Sequence, residues 1–419
     1  MKTSCRSLLS LALVASVLAV PCGAHADDET LQIAKVLDRD GNVLATNLTI
    51  PEDLLRNDVD LRAAEAAGGQ NLVARLTIDP ALQAMVEDEV KRAYDGLTAV
   101  RVNAILMDAR TGEILAMSGL PLTPLEEPKE VSLFPNGSPT ATDVMFASGV
   151  SKILTMTAAA HVGLLSENEL IDCETGPVRF GNVVMRDTPP LGWVSGRDFV
   201  RKMSSVGVAK LATKLGNENF LGASSSLGAM SSVKLGLPGI QSAAFDLKED
   251  AELGAAAAVA TGRQLFSLPQ IARLLTAFTN QGTLVEPRLI SSIAPESSAP
   301  SAPFEPNIFT KKLNPAVTEF IARGLTDIVE GPEATAPEAR VPGMRVAGIP
   351  TTDICGGVFG FIADQVTCTF AGFAPAEDPE VICIVSVAAP NVPKSEATGA
   401  KVAGPIFSRI IVRCSALNN

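Results

Sequence analysis

The stretch Phe146-Ala-Ser-Gly-Val-Ser-Lys152-Ile-Leu-Thr-Met-Thr-Ala-Ala-Ala160 decides how the rest of this chain is read. It opens an apolar helix with a lysine in its first turn. Such a lysine is either a solvated or structural group, or a desolvated base for a hydroxyl on its own helix face. Residues at i and i+3 or i+4 share a face. Gly149, three residues before Lys152, has no side chain to offer. Ser151 is adjacent to the lysine and points elsewhere. Ser148 is at i−4 and shares the lysine's face if the helix starts one residue early; the plainer reading makes it an N-cap.

With 419 residues, 47% hydrophobic and 4% aromatic, the chain can build a large core and one or two domains. Residues 1–26 read as a secretory signal. Lys2 and Arg6 give the basic start, Leu8 to Val20 the apolar core, and Ala24-His25-Ala26 the small-x-small cleavage site. That apolar core is short for the roughly 20 residues of a membrane span, and Pro21 and Gly23 interrupt the residues just after it. The expectation is an exported, periplasmic protein beginning at Asp27. The alternative is an uncleaved anchor in the inner membrane, the one case in which membrane contact is expected.

Loss of the signal's two basic residues takes the formal net charge from −12 to −14. That balance argues against nucleic-acid or anionic-membrane partners. Five cysteines would remain, Cys173, Cys355, Cys368, Cys383 and Cys414, without any C-x-x-C spacing. An odd number cannot all pair within one chain. Cys368 and Cys383 lie in apparent strands and read as small buried hydrophobes, while a disulfide stays open in an oxidising compartment. His161 is the one histidine left after cleavage, at a predicted helix C-terminus. A Ser-His-Asp triad or multi-histidine metal site is therefore close to excluded, and no cofactor is expected. The lone Tyr94 and Trp193 offer no stacking platform for bases or sugars.

Several other elements are legible. Val36 to Ala45 reads as a hairpin around an Asp-Gly turn. Asp79-Pro80 starts a helix as N-cap and first residue, with Leu82, Met85, Val86, Val90 and Ala93 as its buried stripe. Asn103–Asp108 and Glu113–Met117 flank a short Arg-Thr-Gly link as a second hairpin. Ser267 caps a helix entered by Leu268-Pro269 and ended by Asn280 with Gly282. A Pro- and Ser-rich link (295–306) precedes another helix from about Pro315 to Val329. Three late strands come next, led by Val346-Ala-Gly348, Thr367–Phe373 and Val381–Val387, and Ala403-Gly-Pro-Ile-Phe407 starts a terminal helix.

This succession resembles a penicillin-binding-protein transpeptidase domain of the class B type, with its serine β-lactamase-like fold. The family has the same L-T-I-D helix start (residues 76–79), D-x-x-T-G-E hairpin and E-P-R-L segment. Its T-P-x-Q helix with an A-N-x-G end is similar to Ser267-Leu-Pro-Gln270 through Thr279-Asn-Gln-Gly282 here, and its A-A-P-x-F terminal helix to Ala403-Gly-Pro-Ile-Phe407. The resemblance covers residues 76 to 412. The hairpin at 36–45 is similar to the family's D-R-x-G-x-x-L-A opening motif, with Ile33-Ala34 where an Arg-Gly pair usually precedes it. The long pedestal domain that comes next in that family is reduced here to a remnant over residues 27–75, leaving 76–419 as the transpeptidase-like domain.

The family's three chemical motifs are all degenerate. S-x-x-K, whose serine is acylated and whose lysine helps deprotonate it, is matched by Gly149 and Lys152. S-x-N, which relays protons and holds the substrate amide, is matched by Met203-Ser204-Ser205-Val206-Gly207 before a helix from Val208 to Leu215. Either its asparagine is deleted or Ser205 replaces it, and a hydroxyl cannot offer an amide's separate donor and acceptor. K-T-G, whose cation attracts the ligand carboxylate, is matched by Ile349-Pro350-Thr351. Ile349 removes the charge, and Pro350 removes a backbone donor from the strand edge.

The resemblance implies a mixed α/β (α+β) fold: an antiparallel sheet of about five strands flanked by helices, plus an all-helical subdomain over roughly 150–275. Lys152, Ser204 and Ile349 are expected to converge in a cleft between them. The functional expectation is a catalytically inactive scaffold or sensor of cell-wall synthesis that binds peptidoglycan stem peptides or cell-wall synthesis and division proteins. The competing enzyme reading has Ser148 acylated by stem peptides or β-lactams with Lys152 as base. A purely structural envelope protein is a third option. Gly149→Ser alone is expected to restore little acylation. Adding Ile349→Lys, Pro350→Thr and Thr351→Gly is expected to do better if the scaffold is intact.

Overall fold

The computed structural model describes residues 30–51, 71–120, 140, 143–181, 183–235, 262, 264–296, 305–309, 313–357 and 360–418. The signal-like residues 1–26 lie outside the described residues. The first hairpin forms as its Asp-Gly turn requires. Strands β1 (Thr30–Leu37) and β2 (Val43–Pro51) pair antiparallel. The Asp38 carboxylate closes the turn by accepting from the backbone and side-chain N–H of Asn42 at 2.8 Å each. Strand β3 (Leu72–Leu76) runs parallel to β1.

Helix α1 (Pro80–Leu97) begins where Asp79 accepts from the N–H groups of Ala81 and Leu82. Its predicted stripe is buried. Strands β4 (Arg101–Asp108) and β5 (Ile114–Leu120) form the second hairpin. The Asp108 carboxylate holds that link by accepting from the N–H groups of Arg110 and Thr111. Short β6 (Val144–Phe146) then leads into helix α2 (Ser148–His161).

The region expected to be all helical carries helices α2, α3 (Gly196–Lys202) and α4 (Ser205–Ser226), but it is not purely so. Strands β7 (Leu170–Asp172) and β10 (Trp193–Ser195) pair as a ribbon, as do β8 (Val178–Phe180) and β9 (Val183–Met185). A third ribbon joins β6 to β11 (Leu265–Ser267). These three-residue strands are too short for the period-2 pattern to stand out from a helical background. Helix α4 is also longer than the predicted Val208–Leu215. It is broken at Gly216, whose φ of 76° is open to glycine at no steric cost.

Helix α5 (Leu268–Thr279) opens on a full capping box: Ser267 and Gln270 bond each other's backbone N–H. Strand β12 (Ile290–Pro295) adds to β3, completing a sheet in the order β12-β3-β1-β2. The N-terminal strands and the later chain thus share one sheet and one continuous core. After helix α6 (Pro315–Glu330) come β13 (Ala347–Gly357), β14 (Gly360–Ala374), β15 (Val381–Ala388) and helix α7 (Gly404–Asn418).

The central sheet is five-stranded and antiparallel, ordered β13-β14-β15-β4-β5. Successive strand residues point to opposite faces. Every residue from Ile382 to Ala388 and from Arg101 to Met107 is buried, so both faces are covered. Helices α1, α5 and α7 supply the cover. Buried Glu89 of α1 accepts from Arg409 and Arg413 of α7, 2.8 Å each, and ties those helices together. The five described cysteines are buried and unbridged. Among the described residues no helix is long and apolar enough to cross a membrane.

The outer strand β13 has β14 on one side only, and its start lies against the first turn of α2. That contact brings together the first and third of the degenerate motifs, at Gly149 and at Ile349-Pro350-Thr351.

Candidate active-site cleft

The first N–H groups of a helix have no partner within it. At α2 the N-cap is Ala147, whose side chain cannot accept a hydrogen bond. Strand β13 supplies the cap instead. Ser148 N–H donates to both carboxylate oxygens of Asp353, at 3.1 and 3.2 Å, and Gly149 N–H donates to Thr351 Oγ1 at 3.2 Å. The Thr351 hydroxyl in turn donates to Asp353 and sits 3.3 Å from Ser148 Oγ. A carboxylate at the positive end of a helix is favourably placed. Burial pushes the Asp353 carboxyl above its usual range, while the bonds from Thr351 and Ser148 oppose that rise. Ser148 is thus the first helical residue rather than the N-cap.

Gly149 does more than lack a nucleophile. A Cβ built on it would stand 2.8 Å from the Pro350 carbonyl oxygen, 2.9 Å from Ile349 Cγ2 and 3.2 Å from Thr351 Cβ. Its missing side chain is what lets β13 lie flush on α2. The strand is held from another side by Gly399 of a single π-turn (Gly399–Ala403), whose Cβ would meet the carbonyl oxygens of Thr351 and Thr369 at 2.4 Å. Gly262, at φ 97°, packs so closely on Ser148 that a Cβ there would be 2.4 Å from the serine's own.

Serine at 149 therefore collides with backbone. Gly149→Ser is expected to cost about 1–3 kcal/mol, as overpacking does, and to show it as a lowered urea midpoint. An unchanged midpoint would mean that β13 moves aside freely. The fuller reconstruction expected to restore acylation must displace this strand as well as supply a nucleophile and a cation.

Lys152 is partly buried, and its Nζ donates to Ser205 Oγ at 2.8 Å and to the Met203 carbonyl at 3.0 Å. Burial pushes its ammonium below the usual lysine range, with the charges of Asp187 and Asp353 opposing. Met203, in the left-handed conformation at φ 50°, ends α3 and turns its carbonyl toward the lysine. Ser204 is the buried N-cap of α4. It accepts from Gly207 N–H at 2.8 Å and gives its proton to Asp187, which also accepts from Ser205 N–H at 2.8 Å.

The expected convergence of Lys152, Ser204 and Ile349 is corrected accordingly. Ser205, not Ser204, meets the lysine, at the place an S-x-N asparagine would take without a deletion. Ile349 is fully buried, packed by the α2 start, and presents nothing to the cleft. Thr351, taken as the residue matching the motif's glycine, acts as a cap for α2.

Acyl transfer needs a hydroxyl, a base within reach of it and free donors for the developing oxyanion. Ser148 makes its side-chain hydrogen bond to Thr351, while Lys152 is engaged by Ser205 and Met203. The N–H groups of Ser148 and Gly149 are committed to Asp353 and Thr351. Ser205 has the lysine beside it, but its own N–H is tied to a carboxylate, which would repel an oxyanion. Sequence reasoning missed Asp187 and Asp353. Asp353, two residues past the third motif on a strand, carried a faint signal; Asp187, in an Arg-Asp-Thr-Pro-Pro loop, carried none.

Comparison with known proteins agrees with this architecture. The family model described as the penicillin-binding protein transpeptidase domain matches residues 102–412. Penicillin-binding protein PbpB of Mycolicibacterium smegmatis is 28% identical over 355 residues, 80% of this chain and 53% of the relative. The probable peptidoglycan D,D-transpeptidase PenA of Neisseria gonorrhoeae is 28% identical over 338 residues, 80% of this chain and 55% of the relative. The chain thus spans about half the length of these curated relatives. The crystal structure of penicillin-binding protein 3 from Mycobacterium tuberculosis superposes with a TM-score of 0.74, covering 93% of this chain and 97% of that one. At 21% identity that likeness carries the fold alone. The fold, the order of its elements and the family match together make this chain a member of the penicillin-binding protein transpeptidase-domain family.

Proposed function

We propose that this chain is a non-catalytic member of its family, serving cell-wall synthesis as a binding scaffold or sensor rather than by acyl transfer. The observation that carries the reading is the closed α2 terminus: Gly149 packed beneath β13, with Thr351 and Asp353 holding the N–H groups above it. Removing a serine nucleophile or its base typically costs a factor of about 10⁶ in hydrolase turnover, and here Ile349 also replaces the motif lysine that would attract a ligand carboxylate. The association with peptidoglycan rests on relatives named as peptidoglycan transpeptidases. Its partners would be stem peptides or proteins of cell-wall synthesis and division. Export to the periplasm is inferred from the signal-like start of the sequence.

Intact-mass spectrometry of the purified protein after long incubation with a penicillin tests this reading. The expected result is no penicilloyl adduct. An adduct mapping to Ser148 and lost in Ser148→Ala would overturn it and make the chain a divergent D,D-transpeptidase using Ser148 with Lys152.

A further inference from the structure

The single tryptophan of the chain, Trp193, is 67% exposed, and Leu170 is 63% exposed. Both lie on the β7–β10 ribbon, in which Trp193 pairs with Asp172, Val194 with Ile171 and Ser195 with Leu170. Alternation sends Val194 and Ile171 inward, and Val194 is buried. Leu170, Asp172, Trp193 and Ser195 therefore make the outer face. Leu170 and Trp193 are diagonal neighbours there, roughly 7–8 Å apart and within reach of an indole ring. The exposed Pro189 and Pro190 precede the tryptophan. Isolated exposed apolar residues are ordinary; Leu170 and Trp193 instead share one ribbon face and form a small apolar patch that a partner side chain can cover.

The charges around this face select its occupant. Asp172 and Glu174 share the one ammonium of Lys210, at 2.7 and 2.6 Å, which leaves a net negative charge. Glu169, next to Leu170, is exposed. The whole chain is acidic, at −12. A cationic partner gains from this field and an anionic one is repelled.

We propose that the outer face of the β7–β10 ribbon docks a basic protein segment, which sets an aliphatic or aromatic anchor between Trp193 and Leu170 and lysines or arginines against Asp172, Glu174 and Glu169. The proposal rests on the reading of the chain as a binding module. Its test is separate, because a penicillin adduct would leave this face untouched.

As Trp193 is the only tryptophan, its emission in the full chain reports this face alone. The probe is a short synthetic peptide of lysine, leucine and isoleucine, titrated alongside its counterpart with glutamate for lysine. The lysine peptide should give a saturable blue shift, weakened by salt, and the glutamate peptide none. Leu170→Ser should weaken binding about tenfold, the loss of one buried aliphatic contact. Asp172→Asn with Glu174→Gln should weaken binding and reduce its salt dependence. No shift with the lysine peptide, or equal shifts with both peptides, would overturn the proposal. So would a shift on raising protein concentration alone, which assigns the face to a second copy, or with phosphatidylcholine vesicles, which assigns it to lipid.

Discussion

Arg273→Ala is expected to destabilise the protein by about 3–5 kcal/mol, the cost of leaving a buried charge without its partner. Arg273 sits on α5 with no exposure. Its Nη1 bonds both oxygens of Glu286, at 3.0 and 3.1 Å, and the Ser232 carbonyl at 3.2 Å. Its Nη2 reaches the carbonyls of Gly228 and Ser231. The guanidinium also lies 4.2 Å from the Phe309 ring centroid. One planar fork thus holds α5, the loop after α4 and the segment after α5.

Arg273→Lys should recover little, since a point charge cannot serve so many acceptors at once. The double change Arg273→Met with Glu286→Leu should recover more, because it removes the stranded carboxylate too. Chemical denaturation of the three variants decides the matter. A loss below about 1 kcal/mol for Arg273→Ala, or a double variant no better than the single, would remove the pair from its structural role.

Phe278→Ala is expected to cost a similar amount, about 3–5 kcal/mol, for a different reason: it opens a cavity. Phe278 is in the last turn of α5, 7% exposed, on the same predicted face as Leu268, Ile271, Leu274 and Leu275, all buried. The helix packs against β4, β14 and β15 at the middle of the central sheet, where neighbours on both sides limit collapse into the void. Phe278→Leu, which keeps most of the volume, should lose much less. A near-zero change in unfolding midpoint for Phe278→Ala would mean that α5 is not a core element.

That face of α5 was readable because local rules and tertiary packing agree there. Ser267, Pro269 and Gln270 specify the helix start by chemistry contained in four residues, and the apolar spacing specifies the buried side. The same holds for Asp79-Pro80 at α1 and for the turns at Asp38 and Asp108. Arg273 escaped the reading because it interrupts the apolar pattern; an arginine in such a helix is ordinarily solvent-facing. Its burial depends on Glu286 and three carbonyls supplied from other segments. The β7–β10 and β8–β9 ribbons escaped because three-residue strands carry too short a period to register.

Of the cleft, the sequence by itself determined what is missing: a hydroxyl at 149, an asparagine amide near 205 and a cation at 349. Those are statements about side-chain identity at positions fixed by motif order, and no folding can change them. Only the tertiary structure decided what takes their place. Asp353 and Thr351 lie about 200 residues from Ser148 and Gly149 along the chain, and Asp187 reaches the start of α4 from a loop without pattern. A helix terminus takes its missing hydrogen bonds from whatever acceptor the fold delivers, and sequence proximity has no bearing on which one that is. Whether Gly149 is merely a lost serine or a tight contact depends likewise on how closely β13 approaches α2, a distance set by Pro350 on one side and Gly399 on another.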